Sequence, residues 1–352
     1  MDIPVVRGKR LRATVINKCG KPLQGPANRL VTSGFISIKL EPELKQANEL
    51  ETKNADGKVC VSDRTSPEVK RHNATLVLCG VNPDLYSMFA GYERILDYDD
   101  KPIGYADQPD VLSDRGVMIE VWTGGEAEDD CDETVNDSIF SATGTGEKFG
   151  YLSFASKEWI PTGFTVEEAI ANFTLNGITM SAPNWGRSPY NVAAIDSSNT
   201  AGRLLAPVGK KRHLTFFRTP IAPPPETDGA CELAIQSIFT NPNYYIGGPA
   251  GEPAADVAPP QPICGGKSYT VVVTGTGNWK MKVGVPASAN IAHTALPAAV
   301  QSAIEALANV EVGQVQVTGT AGNYTVTLDP SLPVLTSDST GLTGGTATVT
   351  AL

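Results

Sequence analysis

Charge is so unevenly spread along this chain that its two parts read as separate cores. Beyond Cys264 the charged side chains are Lys267, Lys280 and Lys282 against Glu305, Glu311, Asp329 and Asp338. They sum to −1, so nearly all of the formal net charge of −10 belongs to the residues before them. At 352 residues the chain is long enough to bury two ordinary cores. The expected division is a first domain over 1–220, a Pro/Gly-rich linker over 221–263 and a second domain over 264–352. The linker carries PPP, GGP and APPQP and reads as extended chain, with ACELAIQSIF a short helix or strand docked locally.

Period-two alternation dominates the first domain. Leu11, Ala13 and Val15 alternate with Arg10, Arg12 and Thr14, and Ile36, Ile38 and Leu40 alternate with Ser37, Lys39 and Glu41. One apolar and one polar face predicts half-buried antiparallel strands. Asn54, Asp56 and Gly57 mark a hairpin turn between Glu49–Lys53 and Lys58–Ser62. A helix is signalled by Asn82 as cap, Pro83 at the first position, the stripe Leu85, Met88 and Phe89, and Gly91 as terminator. The second domain reads as strands around one helix whose apolar face is Leu296, Val300, Ala303, Ile304 and Leu307. The expected fold is mainly β: an antiparallel sandwich or barrel with one flanking helix, followed by a small α+β module.

Several function classes lack support. An acidic chain without clustered Lys and Arg is a poor binder of phosphate backbones. No stretch approaches the ~20 apolar residues of a spanning helix and the N-terminus has no apolar signal core, so the chain is expected to be made and kept in the cytosol unless released by lysis. The six cysteines show no zinc spacing and are expected as free thiols, a Cys231–Cys264 clasp ranking below. His72, His213 and His293 have no partner suggesting a triad or metal cluster. The acidic run from Glu126 to Glu133 lacks the ligand alternation of a calcium loop and is expected as a solvated loop. The segments TGTGNW and SATGTGEKFG do not match a phosphate cradle, and the adjacent Glu167 and Glu168 point to opposite sides of a strand. No catalytic constellation, metal site or cofactor is expected. Trp122, Trp159, Trp185 and Trp279 are expected to pack structurally, although a sugar platform on them is the natural alternative in a β-rich chain.

The segments VTSGFISIKL, KVCVSD, ATLVLCGVNPDLYSMFAGY, GVMIEVWTGG and APNWGRSPYNV together resemble the major tail tube proteins of long-tailed, siphovirus-type phages of actinobacteria. The resemblance covers about residues 8–218 as spaced motifs. It implies a virion subunit, assembled in the host cytoplasm, whose sheets join edge to edge into homohexameric rings that stack into a tube. DNA then passes through the lumen without specific binding, and the implied partners are the tape measure, tail terminator and distal tail proteins. TVTLDPSLPVLTSDSTGLTGG and AAVQSAIEAL resemble a module appended to several structural proteins of such phages. On a tube this module has to project outward, where its low charge and Thr-rich strands suit weak contact with cell-surface polymers. The alternative for the whole chain is an extracellular adhesin or carbohydrate-binding module.

A tube that conducts DNA is expected to have a net negative wall, because a basic one stalls the polyanion. Glu120 alternates with Val117, Ile119 and Val121, and Glu41 with Ile36, Ile38 and Leu40, which makes these two the expected lumen-facing acids. The excursion between Glu41 and Asn73 is expected to touch the next ring through Glu43, Lys45, Glu49, Asp63, Arg64, Glu68 and Lys70.

Overall fold

The computed structural model describes residues 6–45, 49–53, 55–64, 66–80, 82–98, 101–107, 115–124, 149–162, 173–234, 257–258, 261–311 and 313–352. The acidic run and SATGTG fall outside the described residues. Two compact units divide the chain, Met1–Pro260 and Gln261–Leu352.

The first unit begins with β1 (Val6–Asn17), β2 (Gly25–Thr32) and β3 (Phe35–Leu44), then a hairpin of β4 (Glu49–Lys53) and β5 (Val59–Arg64), then β6 (Val69–Leu78). Helix α1 (Pro83–Ala90) leads to a second hairpin, β7 (Glu93–Leu96) and β8 (Pro102–Ala106). The long strands β9 (Arg115–Gly124), β10 (Phe149–Pro161) and β11 (Phe173–Met180) follow, then a single 3-10 turn, Pro183–Trp185. The short β12 (Ala193–Ala194) and β13 (Ala201–Gly202) precede β14 (Leu214–Thr219) and β15 (Cys231–Leu233).

Nine of these strands form one sheet in the order β15-β2-β1-β9-β10-β11-β6-β3, with β14 also paired to β10. Every pairing is antiparallel. Among the described residues no sheet closes into a barrel. The fold is therefore mainly β and built from antiparallel sheets, as expected, on the sandwich side of the alternative. β10 is where the sheet forks: its first half pairs with β14 and its second half with β11. At that fork Glu158 has φ 57° and the register shifts between Lys157 and Ile160. The bulge turns Trp159 inward, where its ring meets Phe89 edge-on and its Nε1–H donates to Ser156 Oγ at 2.9 Å.

The central strands depart from the one-sided pattern. Leu11, Ala13, Val15, Val117, Ile119, Val121 and Phe154 pack into one core under α1. Ile16, Met118, Trp122, Tyr151 and Ala155 pack into a second core with Trp185, Tyr190, Val192 and Leu204. Residues 183–204 thus cover the face that alternation alone assigns to solvent. α1 itself follows its local signals: Asn82 Oδ1 accepts from the N–H groups of Asp84 and Leu85, and Gly91 ends the helix at φ 76°.

Part of the expected linker belongs to this unit. β15 pairs with β2. Asp84, buried in the first turn of α1, accepts from Ala230 N–H at 2.8 Å and from Arg94 at 3.0 Å. Asn191 holds Ala258 through both backbone groups, at 2.7 and 3.3 Å. Cys231 takes part in a disulfide bond, as does Cys264 in the second unit, which corrects the free-thiol expectation for each, while Cys19, Cys60 and Cys79 are free.

The second unit is a separate helix-on-sheet structure. β16 (Lys267–Val273), β17 (Thr276–Val283) and β18 (Ile291–Ala292) lead into α2 (Pro297–Glu305), which is followed by β19 (Val315–Thr320), β20 (Asn323–Leu328), β21 (Leu335–Asp338), β22 (Leu342–Thr343) and β23 (Ala347–Ala351). One sheet runs β19-β20-β16-β23, and β17 pairs with β18, β21 and β22. Val300 and Ile304 of α2 enter a core of Val271, Trp279, Met281, Tyr324, Val326 and Leu328. Leu296, expected on that apolar face, is exposed, because it is the N-cap residue and not part of the helix.

Gly177 lies under the Trp159 indole, and a Cβ there would sit 2.6 Å from Cδ2. Gly177→Ala is expected to destabilise the first unit by about 1–3 kcal/mol through overpacking. Urea unfolding followed by tryptophan fluorescence measures it, and a midpoint unchanged from the parent rules out the packing role.

Candidate functional site

Where the central strands β1, β9 and β10 are covered on both faces, the sheet is left with its outer strands, edges and projections as contact surfaces. β3 is paired only to β6, β15 only to β2 and β14 only to β10, so three strands of the first unit carry an unpaired side among the described residues. Strand edges of this kind are templates for further pairing. Leu214 and Phe216 are partly exposed on β14, and Ile95, Tyr98 and Ile103 are exposed on the β7–β8 hairpin. That hairpin rests on a stack of Tyr86, Tyr92 and Tyr105, with the Tyr86 and Tyr105 centroids 4.5 Å apart.

The excursion between β3 and β6 is a two-stranded ribbon. Pairing runs from Phe35↔Leu78 to Leu44↔Val69 and, beyond a gap, from Glu49↔Arg64 to Lys53↔Val59. Four of the residues expected to touch a neighbouring ring face one another in ion pairs. Glu43 accepts from Arg71 at 2.6 Å and Lys70 at 3.1 Å, and Lys45 donates to Glu68 at 2.7 Å. The Arg71 bond, then the Lys70 bond, holds the Glu43 carboxyl below its ordinary range, and the Lys45 bond does the same for Glu68. Glu49 and Arg64 are placed opposite one another by backbone register, as Asp63 is opposite Leu50. Ile36, Leu44, Val59 and Val69 are exposed along the same ribbon. A register shift between Phe35 and Ser37 puts Phe35, not Ile36, with Ile38 and Leu40 in the apolar set.

The two expected lumen acids have opposite fates. Glu41 is exposed on β3 and pairs with Lys39 at 2.7 Å. Glu120 is fully buried, which corrects its assignment to a channel wall. It does alternate with Val117, Ile119 and Val121 as the sequence requires, but residues 183–204 cover the face it points to. Arg12, directly opposite on β1, grips both carboxylate oxygens, Oε2 at 2.6 Å and Oε1 at 2.7 Å, and Tyr151 donates to Oε1. Tyr190 lies against the guanidinium at 3.5 Å, with Trp122 at 4.9 Å. Removing two charges from water costs several kcal/mol each, and such bidentate, hydrogen-bonded geometry is what offsets it. Glu120 is thus a structural residue of the first unit. Alternation could not find this, but Arg12, Thr14 and Trp122 on the same sheet face were a signal that it is covered.

No group of three or more His, Cys, Asp and Glu side chains is placed to hold a metal ion among the described residues. His72 and His213 have ring centroids 6.4 Å apart, and Thr179 Oγ1 lies 2.9 Å from His213 Nδ1. Burial, then His72, lowers the pKa of His213. Trp122 and Trp185 are core residues, as is Trp279 in the second unit, so they form no sugar platform. No helix among the described residues is long and apolar enough to cross a membrane.

No family model matches the chain. Over 70 residues it is 43% identical to the tail sheath protein of Mycobacterium phage Bxz1, a stretch that is 20% of this chain and 12% of that protein. A solved structure from Mycobacterium phage Patience covers 26% of this chain and 39% of its own length at 27% identity, with a TM-score of 0.21. The chain therefore spans about an eighth of the curated relative's length. The shared segment points to a structural protein of a phage tail, and so to a component of a virion.

Two measurements probe the buried network. Glu120→Ala is expected to cost about 3–5 kcal/mol, because it strands a buried Arg12, and Glu120→Lys to unfold the first unit, both read by denaturant melts. Burial lifts Tyr190 from an ordinary 10 to about 12, and burial with Tyr105 and Tyr92 lifts Tyr86 equally. Between those values the unfolded phenols have lost protons that the folded ones keep, so stability falls from about pH 10 to 12. Phenolate absorbance against pH should show this, with the Tyr86→Phe variant losing part of the slope.

Proposed function

We propose that this chain is a tail tube subunit: six copies close into a ring through the open strand edges, rings stack through the ribbon, and DNA passes along the lumen. The observation that carries this reading is the nine-stranded sheet whose central strands β1, β9 and β10 are buried on both faces and whose strands β3, β14 and β15 each pair with a single neighbour among the described residues. Cyclic closure removes such edges, whereas an isolated monomer leaves them open to uncontrolled pairing. The ribbon supports stacking in the same way. Its described side chains are mostly exposed, and a two-stranded hairpin is marginal in water without a surface to rest on. Glu41 stays the candidate for a negative wall. The second unit decorates the outside, since a folded module inside the lumen blocks the duplex. The tape measure, tail terminator and distal tail proteins are the proposed neighbours, and the chain acts without cofactor or catalysis.

Electron microscopy of the purified chain at rising concentration should show six-fold rings and tubes, and a monodisperse monomer at every concentration, with or without a tail initiator, overturns the reading. Replacing residues 46–69 by an Asn-Gly turn closes the ribbon just beyond the Glu43↔Arg71 pair. That variant should fold and close rings yet fail to stack. A chain ending at Pro260 should still form tubes of smaller outer diameter. Ending it at Pro224 removes β15 and the Ala230 bond to Asp84, and should lower the stability of the first unit instead.

A further inference from the structure

We propose that the β7–β8 hairpin of one copy docks on the β14 segment of a second copy, and that this contact joins neighbouring subunits. The inference rests on the ring-forming reading above and names the two surfaces that meet. On the hairpin Ile95, Leu96 and Ile103 are exposed, and Tyr98, in the connection between the strands, is 94% exposed. Gly104 stands opposite Ile95 and adds no side chain beside it. The arm is anchored at its base. Arg94 bonds to the buried Asp84 at 3.0 Å, and Tyr92 and Tyr105 stack with the buried Tyr86 of α1. A two-stranded hairpin is marginal in water by itself, so these anchors hold apolar side chains out in a fixed shape, which lowers the entropy lost on docking.

Charge and apolar surface together identify the occupant. With Arg94 engaged by Asp84, the other charges of the hairpin are Glu93, Asp97 and Asp107 against Lys101 among the described residues. The β14 segment has the opposite sign. Lys210, Lys211 and Arg212 are exposed in succession, and no Asp or Glu occurs between Asp196 and Glu226. Backbone bonds set these cations in place: Lys211 N–H donates to Ser181 Oγ at 3.1 Å and Val208 N–H to the Gly186 carbonyl at 2.8 Å. Glu68 of the ribbon feels Lys211, yet its own bond is to Lys45. Next to the cations Leu214 and Phe216 leave one face of β14 partly exposed, whereas Phe217 turns the other way onto Tyr151. A phosphate polymer would use the three cations and not Leu214 or Phe216; the hairpin answers both, and such complementarity fixes orientation. Each surface is exposed within one copy, where the hairpin packs on α1 and β14 on β10, so the two meet between copies. Being unlike surfaces, they join head to tail, the arrangement that closes into a ring.

The test places the photocrosslinker p-benzoylphenylalanine at Tyr98 of the full chain. Ultraviolet light is expected to give a band of twice the chain mass, with the adduct within residues 210–216. Charge is then reversed on the loop by Lys210→Glu, Lys211→Glu and Arg212→Glu, or on the hairpin by Glu93→Lys, Asp97→Asn and Asp107→Asn, the last two keeping their hydrogen-bond acceptors. Either set should weaken the band about tenfold or more, since like charges replace opposite ones. Mixing the two variants should restore it, because each hairpin then meets a loop of opposite sign. Should a reversal cost the chain its near-UV circular dichroism, the position of the adduct decides alone. Adducts on other residues, no paired band, or a band indifferent to both reversals overturns the proposal, and if rings form all the same only this contact falls. A pair cross-linked at 210–216 in a chain that forms no ring at any concentration keeps the contact and overturns the ring.

Discussion

A strand pair buried on both faces has nothing but its ends and its sheet edges to offer a partner, and the first unit is organised around that constraint. Arg12 and Glu120 face each other in the middle of β1 and β9, where water is excluded by Tyr151, Tyr190 and Trp122. Burying one of these charges alone is prohibitive. Burying both in bidentate register ties the strand alignment to the covering segment, because Tyr190 also meets Thr14 at 2.9 Å. A one-residue slip of β1 against β9 would separate the charges and turn Leu11, Ala13 and Val15 away from their core. The ion pair therefore acts on register as much as on stability.

How far the sequence revealed this differs from element to element. α1 was legible to the residue, since a cap, a first-turn proline, an apolar stripe and a terminal glycine are all local signals. The facing of β1 and β9 was legible too, because alternation is local. What lay beyond the second face was not. Residues 183–204 meet Ile16, Met118 and Trp122 across long sequence separations, and no periodicity in either segment records that contact. The same limit misplaced the end of the first unit. Thr227, Ala230, Cys231 and Ala258 lie in a Pro/Gly-rich stretch that reads as linker, yet their backbone groups bond to Val31, Asp84, Arg29 and Asn191. Composition reports the absence of an apolar core within a segment; it does not report adherence to another one.

The ribbon shows the opposite balance between charge and burial. Glu43, Lys45, Glu68, Lys70 and Arg71 are paired where water competes for every charge, and exposed pairs contribute little to stability. In the stacked rings proposed above, their effect is on association. Alternating signs along two strands keep the hydrophobic residues Leu44, Val59 and Val69 from collapsing on copies of themselves in arbitrary register, while leaving them accessible to a surface of matching charge. Salt should weaken that selectivity before it weakens the fold.

The second unit supplies the contrast that makes the misreading of Glu120 instructive. In β16 the residues Tyr269, Val271 and Val273 are buried while Ser268, Thr270 and Val272 face outward, and alternation there describes both facing and environment. In β1 and β9 it describes facing alone. The difference was written in the chemistry of the second face. An outward face of hydroxyls needs no partner, because water satisfies it. A face that sets Arg12 opposite Glu120, with Trp122 two residues further on, combines an indole with charges matched across the strands. Such a face is costly to leave half-wet and favourable only when closed, so matched opposite charges beside a large aromatic on one strand face mark a second core rather than a solvent surface.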